Sequence, residues 1–416
     1  MFRQPGGRCS RAGRLRWVGW PCGRADGGPD DRGRQRHGGR AGRAGPAAGG
    51  WAGPIRLLGA ERELPYDRPP LSKDVLLGQR DSTTLDIDWA GVDLMPGRRA
   101  TGLEPGLLHT DRGSLPYDAL VIATGAKPVT LPGARTLRTL DDALALRASL
   151  RPGRHLVLVG AGWIGAETAT VARQLGCRVT VVEAAATPLA GALPAELGGL
   201  MTQWYADAGV ELRCGVGVAA VEPGAVLLAD GTELAADEVV VGIGARPATG
   251  WLAGSPVELD RAGAILTDDQ LRTSLPGVWA AGDCVSYPSA RLGTRVNVQH
   301  WDHALQSGRA VAASVLGAGT PYDPVPYFWS EQFGRMVQYA GRHAGGDLML
   351  WRGSAEDPAW TVLWLRDGRL TGLLSVDRPR DVNQAKKLIE RGVPLDPVAA
   401  ADPSVQLKAA IGPNPL

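Results

Sequence analysis

Short apolar runs alternate with amphipathic stretches along most of the chain, and their spacing predicts a sequence of strands and helices. Ile55 to Leu58 reads as a strand, as do the apolar cores of Tyr117 to Pro128 and Thr273 to Cys284. The clearest unit begins at His155. Leu156 to Val159 is a strand, Ala166 to Leu175 has the composition and period of a helix stopping at Gly176, and Val179 to Val182 is a second strand delivering Glu183 at its end. Strands alternating with helices imply a parallel α/β arrangement. Beyond Gly319 the texture changes. Trp360 to Val376 predicts a hairpin around Asp367-Gly368, and "VNQAKKLIERG" predicts a helix ended by Gly392, so an α+β module is expected there.

The pattern fails at the N-terminus. Between Met1 and Gly50 only Leu15 and Val18 are aliphatic strand formers, so no dinucleotide-type strand is expected, and residues 1–49 read as a disordered Arg/Gly-rich tail. The first 50 residues hold 11 Arg, 3 Asp and neither Lys nor Glu, a charge of +8 that leaves −6 for the rest of a chain whose formal total is +2. The folded part is therefore mildly acidic. Without aromatic platforms the tail does not read as a nucleic-acid binder. No apolar run of 18 residues and no signal-peptide core is present, which predicts a cytoplasmic protein with no membrane partner. Cys9, Cys22, Cys177, Cys214 and Cys284 form no C-x-x-C pair and no metal-ligand spacing. Redox chemistry here requires a bound cofactor.

Gly160, Gly162 and Gly165 supply G-x-G-x-x-G between the first strand and the helix. The first glycine makes the tight turn, the second lets backbone approach a pyrophosphate, and the third lets helix and strand pack closely, with the helix N-terminus facing the phosphate. Glu183 is placed to accept from a ribose diol. The residues after it, Ala184 to Thr187, include no Arg for a 2′-phosphate, so NADH is favoured over NADPH. Elsewhere Ala123-Thr124-Gly125 ends one strand with small residues, and Gly282-Asp283 ends another with a carboxylate suited to a polyol.

In this order, "PYDRPPLSK", "YDALVIATGA", "GAGWIGAE", "GIGARP", "GVWAAGDC" and "PYFWSEQFG" resemble the FAD-dependent pyridine nucleotide-disulfide oxidoreductases, most closely the ferredoxin and rubredoxin reductases of bacterial oxygenase systems. The resemblance covers about residues 50 to 416. It implies two Rossmann-like domains plus a C-terminal α+β interface domain. The FAD domain would be split, 50–141 and 267–319, around an NADH domain at 142–266, with the interface domain at 320–416. The implied activity is hydride transfer from NADH to flavin, then single electrons to a ferredoxin or rubredoxin.

The resemblance also implies residue roles. Lys73 would sit by the flavin and Glu167 would pair with it and orient the nicotinamide carboxamide. Ala123, Thr124, Gly125, Gly282 and Asp283 would line FAD, as would Arg138, Ala100 through its backbone, and the aromatic rings of Trp301 and Trp329. Glu61 would hold the FAD ribose, although Ala60 fills the nearest aligned position. Ile164 and Gly244 would join Gly160, Gly162, Gly165 and Glu183 around NADH. Arg309, Lys386, Lys387 and Lys408 would steer an acidic iron–sulfur partner.

One departure stands out. The family begins with a strand and G-x-G-x-x-G for the FAD pyrophosphate, whose glycines fall at positions 34, 36 and 39, and this chain has Arg34, Arg36 and Gly39. Back-translating Asp30 to Gly39 with Arg as CGN and shifting by one base permits M-I-V-V-G-S-G-M-A-G. Residues 1–49 therefore read as a frame-shifted start, and the expected FAD domain lacks its first strand and phosphate loop. The rival readings are a flavin-deficient NADH-binding protein, or an NADH oxidase or disulfide reductase of the same fold.

Overall fold

The computed structural model describes residues 15–18 and 50–412. They fall into two units, one formed by the described residues of 1–67 with 84–126 and 246–324, the other by 68–83, 127–245 and 325–412. The first unit is built on a five-stranded parallel sheet in the order Val278–Ala280, Ala119–Ile122, Leu15–Val18, Ile55–Gly59, Val92–Pro96. Ala119–Ile122 reads as an unbroken apolar run because both of its faces are covered, and all four of its residues are buried.

The expectation of a missing first strand is corrected. Leu15–Val18 is a strand at the centre of this sheet, with Leu15 opposite Ile55 and Ala119 and Val18 opposite Leu58 and Ile122. Main-chain pairing to a neighbour on each side does not depend on side-chain type, so tertiary context overrides a poor strand composition. No open sheet edge is left between Ile55–Gly59 and Ala119–Ile122. The remainder of the expected tail, including Arg34, Arg36, Gly39, Cys9 and Cys22, lies outside the described residues.

In the second unit, a four-stranded parallel sheet runs Glu211–Cys214, Arg178–Glu183, His155–Val159, Glu238–Val241. The helix Trp163–Gln174 follows His155–Val159, starting three residues earlier than its apolar period predicts because Gly162 serves as N-cap. The C-terminal part adds an antiparallel five-stranded sheet, Tyr327–Gln332, Arg335–Gly341, Arg369–Val376, Trp360–Arg366, Leu348–Arg352. The hairpin at Asp367-Gly368 has φ of 49° and 69°, the paired positive values of a two-residue turn matched to strand twist. Helix Pro379–Arg391 ends at Gly392 in the left-handed conformation, φ 58°. Buried Arg352 pairs with Asp381 at 3.0 Å and donates to the carbonyls of Ala400, Asp402 and Val405, tying the last helix Pro397–Ala401 to the sheet.

The units divide the chain differently from the three domains drawn from sequence. Residues 68–83 belong with the dinucleotide module, held by Arg147 Nη1 donating to the carbonyls of Val75 and Arg80 (both 3.2 Å) and by Arg68 donating to the carbonyl of Arg138 (2.7 Å). The C-terminal sheet also packs against that module. Leu197, Met201 and Trp204 of helix Ala195–Asp207 share one apolar core with Val337, Trp360 and Trp364.

The first unit buries a histidine in its core. His303, on helix Trp301–Val315, is 3% exposed, stacks on Tyr287 at 5.4 Å, and has Nδ1 2.9 Å from the Tyr322 hydroxyl. Burial pushes its pKa down to about 4, with the charge of Asp283 pulling the other way. The folded form therefore stays neutral while the unfolded chain gains a proton as pH falls below about 6.5. Stability should drop across the window from about 6.5 to about 4 by up to about 1.4 kcal/mol per pH unit for this residue. Urea midpoints at pH 7 and pH 5 should converge in His303→Asn relative to the unaltered chain; an equal pH loss in both would contradict the assignment.

Candidate functional site

The dinucleotide turn is dictated by backbone packing. Gly160 has φ of +104°, and a Cβ there would meet the Gly242 carbonyl oxygen at 2.6 Å; at Gly165 it would meet the Gly160 oxygen at 2.2 Å. Gly162, the middle glycine, has only the Gly242 oxygen near it, at 3.7 Å, which leaves the approach open. That is the pattern a bound pyrophosphate needs, with the helix N-terminus behind it. Gly244 has φ of +114° and open space around it, and Ile243 beside it and Ile164 in the first turn of the helix are exposed apolar side chains. Glu183 holds the turn as well as facing it: one carboxylate oxygen accepts from the Ala161 N–H and the other from the Ala185 N–H, both at 2.8 Å. Each oxygen retains a lone pair for a diol.

A buried carboxylate lies farther along the same helix. Glu167 is 4% exposed and forms an ion pair with Lys73 at 2.7 Å. Its Oε2 also accepts from the Ser72 hydroxyl, and its Oε1 accepts from the Ser330 hydroxyl at 2.7 Å. Lys73 reaches the carboxylate because the 3-10 turn Pro69–Ser72 ends at it, and the ammonium also donates to the Pro69 carbonyl at 3.3 Å. Both serines escaped the sequence reading. Each sits inside a quoted motif, "PPLSK" or "FWSEQ", so adjacency to Lys73 and Trp329 was the available signal.

In the first unit, Ala123-Thr124-Gly125 continues from the strand Ala119–Ile122, and Gly125 has φ of +68°. Ala281 N–H donates to the Ile122 carbonyl at 2.9 Å, which brings this crossing against the turn Gly282–Cys284. That turn is clamped: Gly282 N–H donates to Ser307 Oγ at 2.9 Å, and its carbonyl lies 3.3 Å from His303 Nε2. Asp283 is buried beside it, its carbonyl accepting from Asn297 at 2.8 Å. The Thr124 hydroxyl is buried against the Cys284 thiol. A buried carboxylate next to small residues, at the C-terminal ends of two parallel strands, fits a polar ligand such as the polyol of FAD.

Other candidates have local partners of their own. Trp301 Nε1 donates to Asp67 at 2.6 Å, and Glu61 accepts from the Tyr66 hydroxyl. Ala100 is buried in the strand Ala100–Glu104, opposite Thr110. Arg138 and Trp329 belong to the second unit. The backbone N–H of Arg138 donates to Asp142 at 3.0 Å, and Trp329 stacks on Tyr327 at 6.1 Å. Among the described residues no cluster of His, Cys, Asp or Glu suits a metal ion, and no helix is long and apolar enough to cross a membrane.

Residues 38–308 match the model of the family described as pyridine nucleotide-disulphide oxidoreductase, and residues 327–411 match a reductase C-terminal model. The chain belongs to the pyridine nucleotide-disulphide oxidoreductase family. It is an oxidoreductase of the ferredoxin-reductase type within that family, with FAD and NADH as cofactors. Rhodocoxin reductase of Rhodococcus erythropolis is 36% identical over 385 residues, 87% of this chain and 89% of that one. The ferredoxin–NAD(+) reductase component of the anthranilate 1,2-dioxygenase system of Burkholderia cepacia is 36% identical over 376 residues, 85% of this chain and 92% of its own. The crystal structure of a covalent putidaredoxin reductase–putidaredoxin complex superposes with a TM-score of 0.85 at 30% identity, covering 95% of this chain and 97% of that one.

In this oxidoreductase, Glu183→Arg should remove a diol acceptor and supply a phosphate partner. The ratio of NADH to NADPH affinity is expected to move toward NADPH by about 1 to 3 kcal/mol, the scale of a charged hydrogen bond. Steady-state kinetics with both nucleotides check this, and an unchanged ratio contradicts the role.

Proposed function

We propose that this chain is the NADH-oxidising component of an oxygenase electron-transfer system, delivering single electrons to a ferredoxin- or rubredoxin-type iron–sulfur protein. FAD, when bound, supplies the chemistry that takes two electrons as a hydride and releases them one at a time. The chain's residues bind and orient. In this reading Gly160, Gly162 and Gly165 cradle the NADH pyrophosphate, Ile164 and Gly244 flank it, and Glu183 accepts from the ribose. Lys73 and Glu167 orient the nicotinamide carboxamide. Asp283, Gly282, Thr124, Ala123 and Gly125 hold the flavin's polyol side, Ala100 and Glu61 the adenosine side, and Arg138, Trp301 and Trp329 contact the flavin. A cytoplasmic setting follows, where NADH is generated and oxidised.

The observation that carries this reading is the ion pair of Lys73 with Glu167, whose carboxylate is buried on the dinucleotide helix, in a protein whose described cysteines are unsuited to disulfide exchange. Cys284 is buried, its thiol donates to the Ala281 carbonyl at 3.3 Å, and burial pushes its pKa up to about 11. Cys177 donates to the Arg151 carbonyl at 3.3 Å and is likewise pushed up by burial, as is Cys214, with the Glu183 charge adding to its shift. Thiolates are the reactive form, so raised values disfavour redox work. For partner steering, Arg309, Lys387 and Lys408 are exposed, whereas Lys386 is half-buried with its ammonium 4.5 Å over the Tyr327 ring. An acidic iron–sulfur protein fits those cations.

A second reading concerns FAD loading. The family match begins only at residue 38, beyond Arg34 and Arg36, in keeping with a start read out of frame. The chain as written should purify with well under one FAD per chain, and a chain restored to M-I-V-V-G-S-G-M-A-G across positions 30–39 should carry one; the flavin absorbance of each measures this. Stoichiometric FAD in the chain as written sinks the frame-shift reading. If the flavin-loaded protein reduces no member of a panel of ferredoxins and rubredoxins with NADH, the reductase reading fails. Charge reversal in Arg309→Glu should flatten the salt dependence of that reduction, and an unchanged dependence removes Arg309 from the docking surface.

A further inference from the structure

One strand of the C-terminal sheet runs along one face of the dinucleotide helix. Phe328 sets its ring edge-on to Trp163 at 4.7 Å, Ser330 donates to Glu167 at 2.7 Å, and the Phe333 N–H donates to Thr170 Oγ1 at 2.9 Å. Positions 163, 167 and 170 share one face of a helix, so the three contacts form a continuous seam. The seam ends in strain. Phe333, with φ of +50°, and Gly334, with φ of +78°, turn the chain from Tyr327–Gln332 into Arg335–Gly341, in a conformation that suits Asn or Gly and costs a bulky residue energy. The Phe333 ring is held against Tyr205 at 4.7 Å, which keeps the turn where the seam needs it.

Within this seam Ser330 is fully buried and donates to Glu167 Oε1, while Lys73 and Ser72 take Oε2. Gln332 Nε2 donates to the Ser330 oxygen at 3.2 Å, which turns the serine proton toward the carboxylate. A carboxylate on a flexible side chain gains a single orientation only when both oxygens are fixed. We propose that Ser330, with Ser72, is a positioning residue for the nicotinamide end of NADH: the C-terminal sheet reaches into the dinucleotide module and sets the orientation of Glu167. This rests on the reading of Gly160 to Glu183 as the NADH site and of Glu167 as the group facing the carboxamide.

NAD(+) and ADP-ribose separate the two ends of that site, because ADP-ribose carries the pyrophosphate and adenosine but no nicotinamide. Titrations of the full-length chain with each ligand, followed calorimetrically, provide a readout other than turnover. In Ser330→Ala the affinity for NAD(+) should fall about fivefold to tenfold, the scale of one ordinary hydrogen bond, while that for ADP-ribose stays within about twofold. Ser72→Ala reaches the same carboxylate from the other side and should give the same split, which guards against a folding defect in the strand. An unchanged NAD(+) affinity in both variants, or equal losses for the two ligands, overturns the proposal. Failure of ADP-ribose to bind the unaltered chain overturns the dinucleotide reading itself, and the proposal with it.

Discussion

A carboxylate removed from water needs compensation on every side, and Glu167 obtains it from three residues on two separate stretches of chain. Lys73 supplies the opposite charge, and hydroxyls from Ser72 and Ser330 take up both oxygens. Removing one member of such a set leaves a buried charge with an open lone pair, which costs more than the bond itself is worth. Much of the second unit's arrangement is consistent with that demand. Residues 68–83 are drawn against the dinucleotide module although they are remote from it in sequence, and the strand Tyr327–Gln332 is held along its helix.

The same principle, polar groups fixed where no water reaches, organises the first unit. Gly282 is gripped at both its N–H and its carbonyl, by Ser307 and His303, and the histidine is fixed in turn by Tyr322. The neutral imidazole this requires follows from its burial. Asp283 therefore projects from a turn whose backbone has little freedom. A carboxylate held on pre-organised backbone suits binding of a polyhydroxylated ligand.

Elements with a strong local period were legible in the sequence. The strand–turn–helix–strand from His155 to Glu183, the hairpin at Asp367-Gly368 and the helix ended by Gly392 lie where spacing and turn residues put them, within a few residues. Lys73 and Glu167 were paired on resemblance, since 94 positions separate them and no periodicity joins them. The serines were illegible for a simpler reason: a hydroxyl acquires a role only through what it faces in three dimensions. The grouping of residues 68–83 with the second unit was not legible, because Arg68, Ser72, Lys73 and the partners of Arg147 bind across long sequence separations. The strand Leu15–Val18 was missed because the reading required aliphatic residues, whereas a slot between two strands is filled by backbone.

That central strand has a consequence for how the protein is made. Leu15–Val18 leaves the ribosome first, yet one of its two neighbours, Ala119–Ile122, is synthesised about 100 residues later, roughly 5 to 20 s at typical elongation rates. The strand Val278–Ala280, which completes that side of the sheet, follows later still. Throughout that interval the growing chain holds apolar segments with unpaired backbone groups, the state most open to wrong pairing and to capture by chaperones. Translation speed between the codons for Leu15–Val18 and those for its later neighbours thus bears on how much of this sheet pairs correctly.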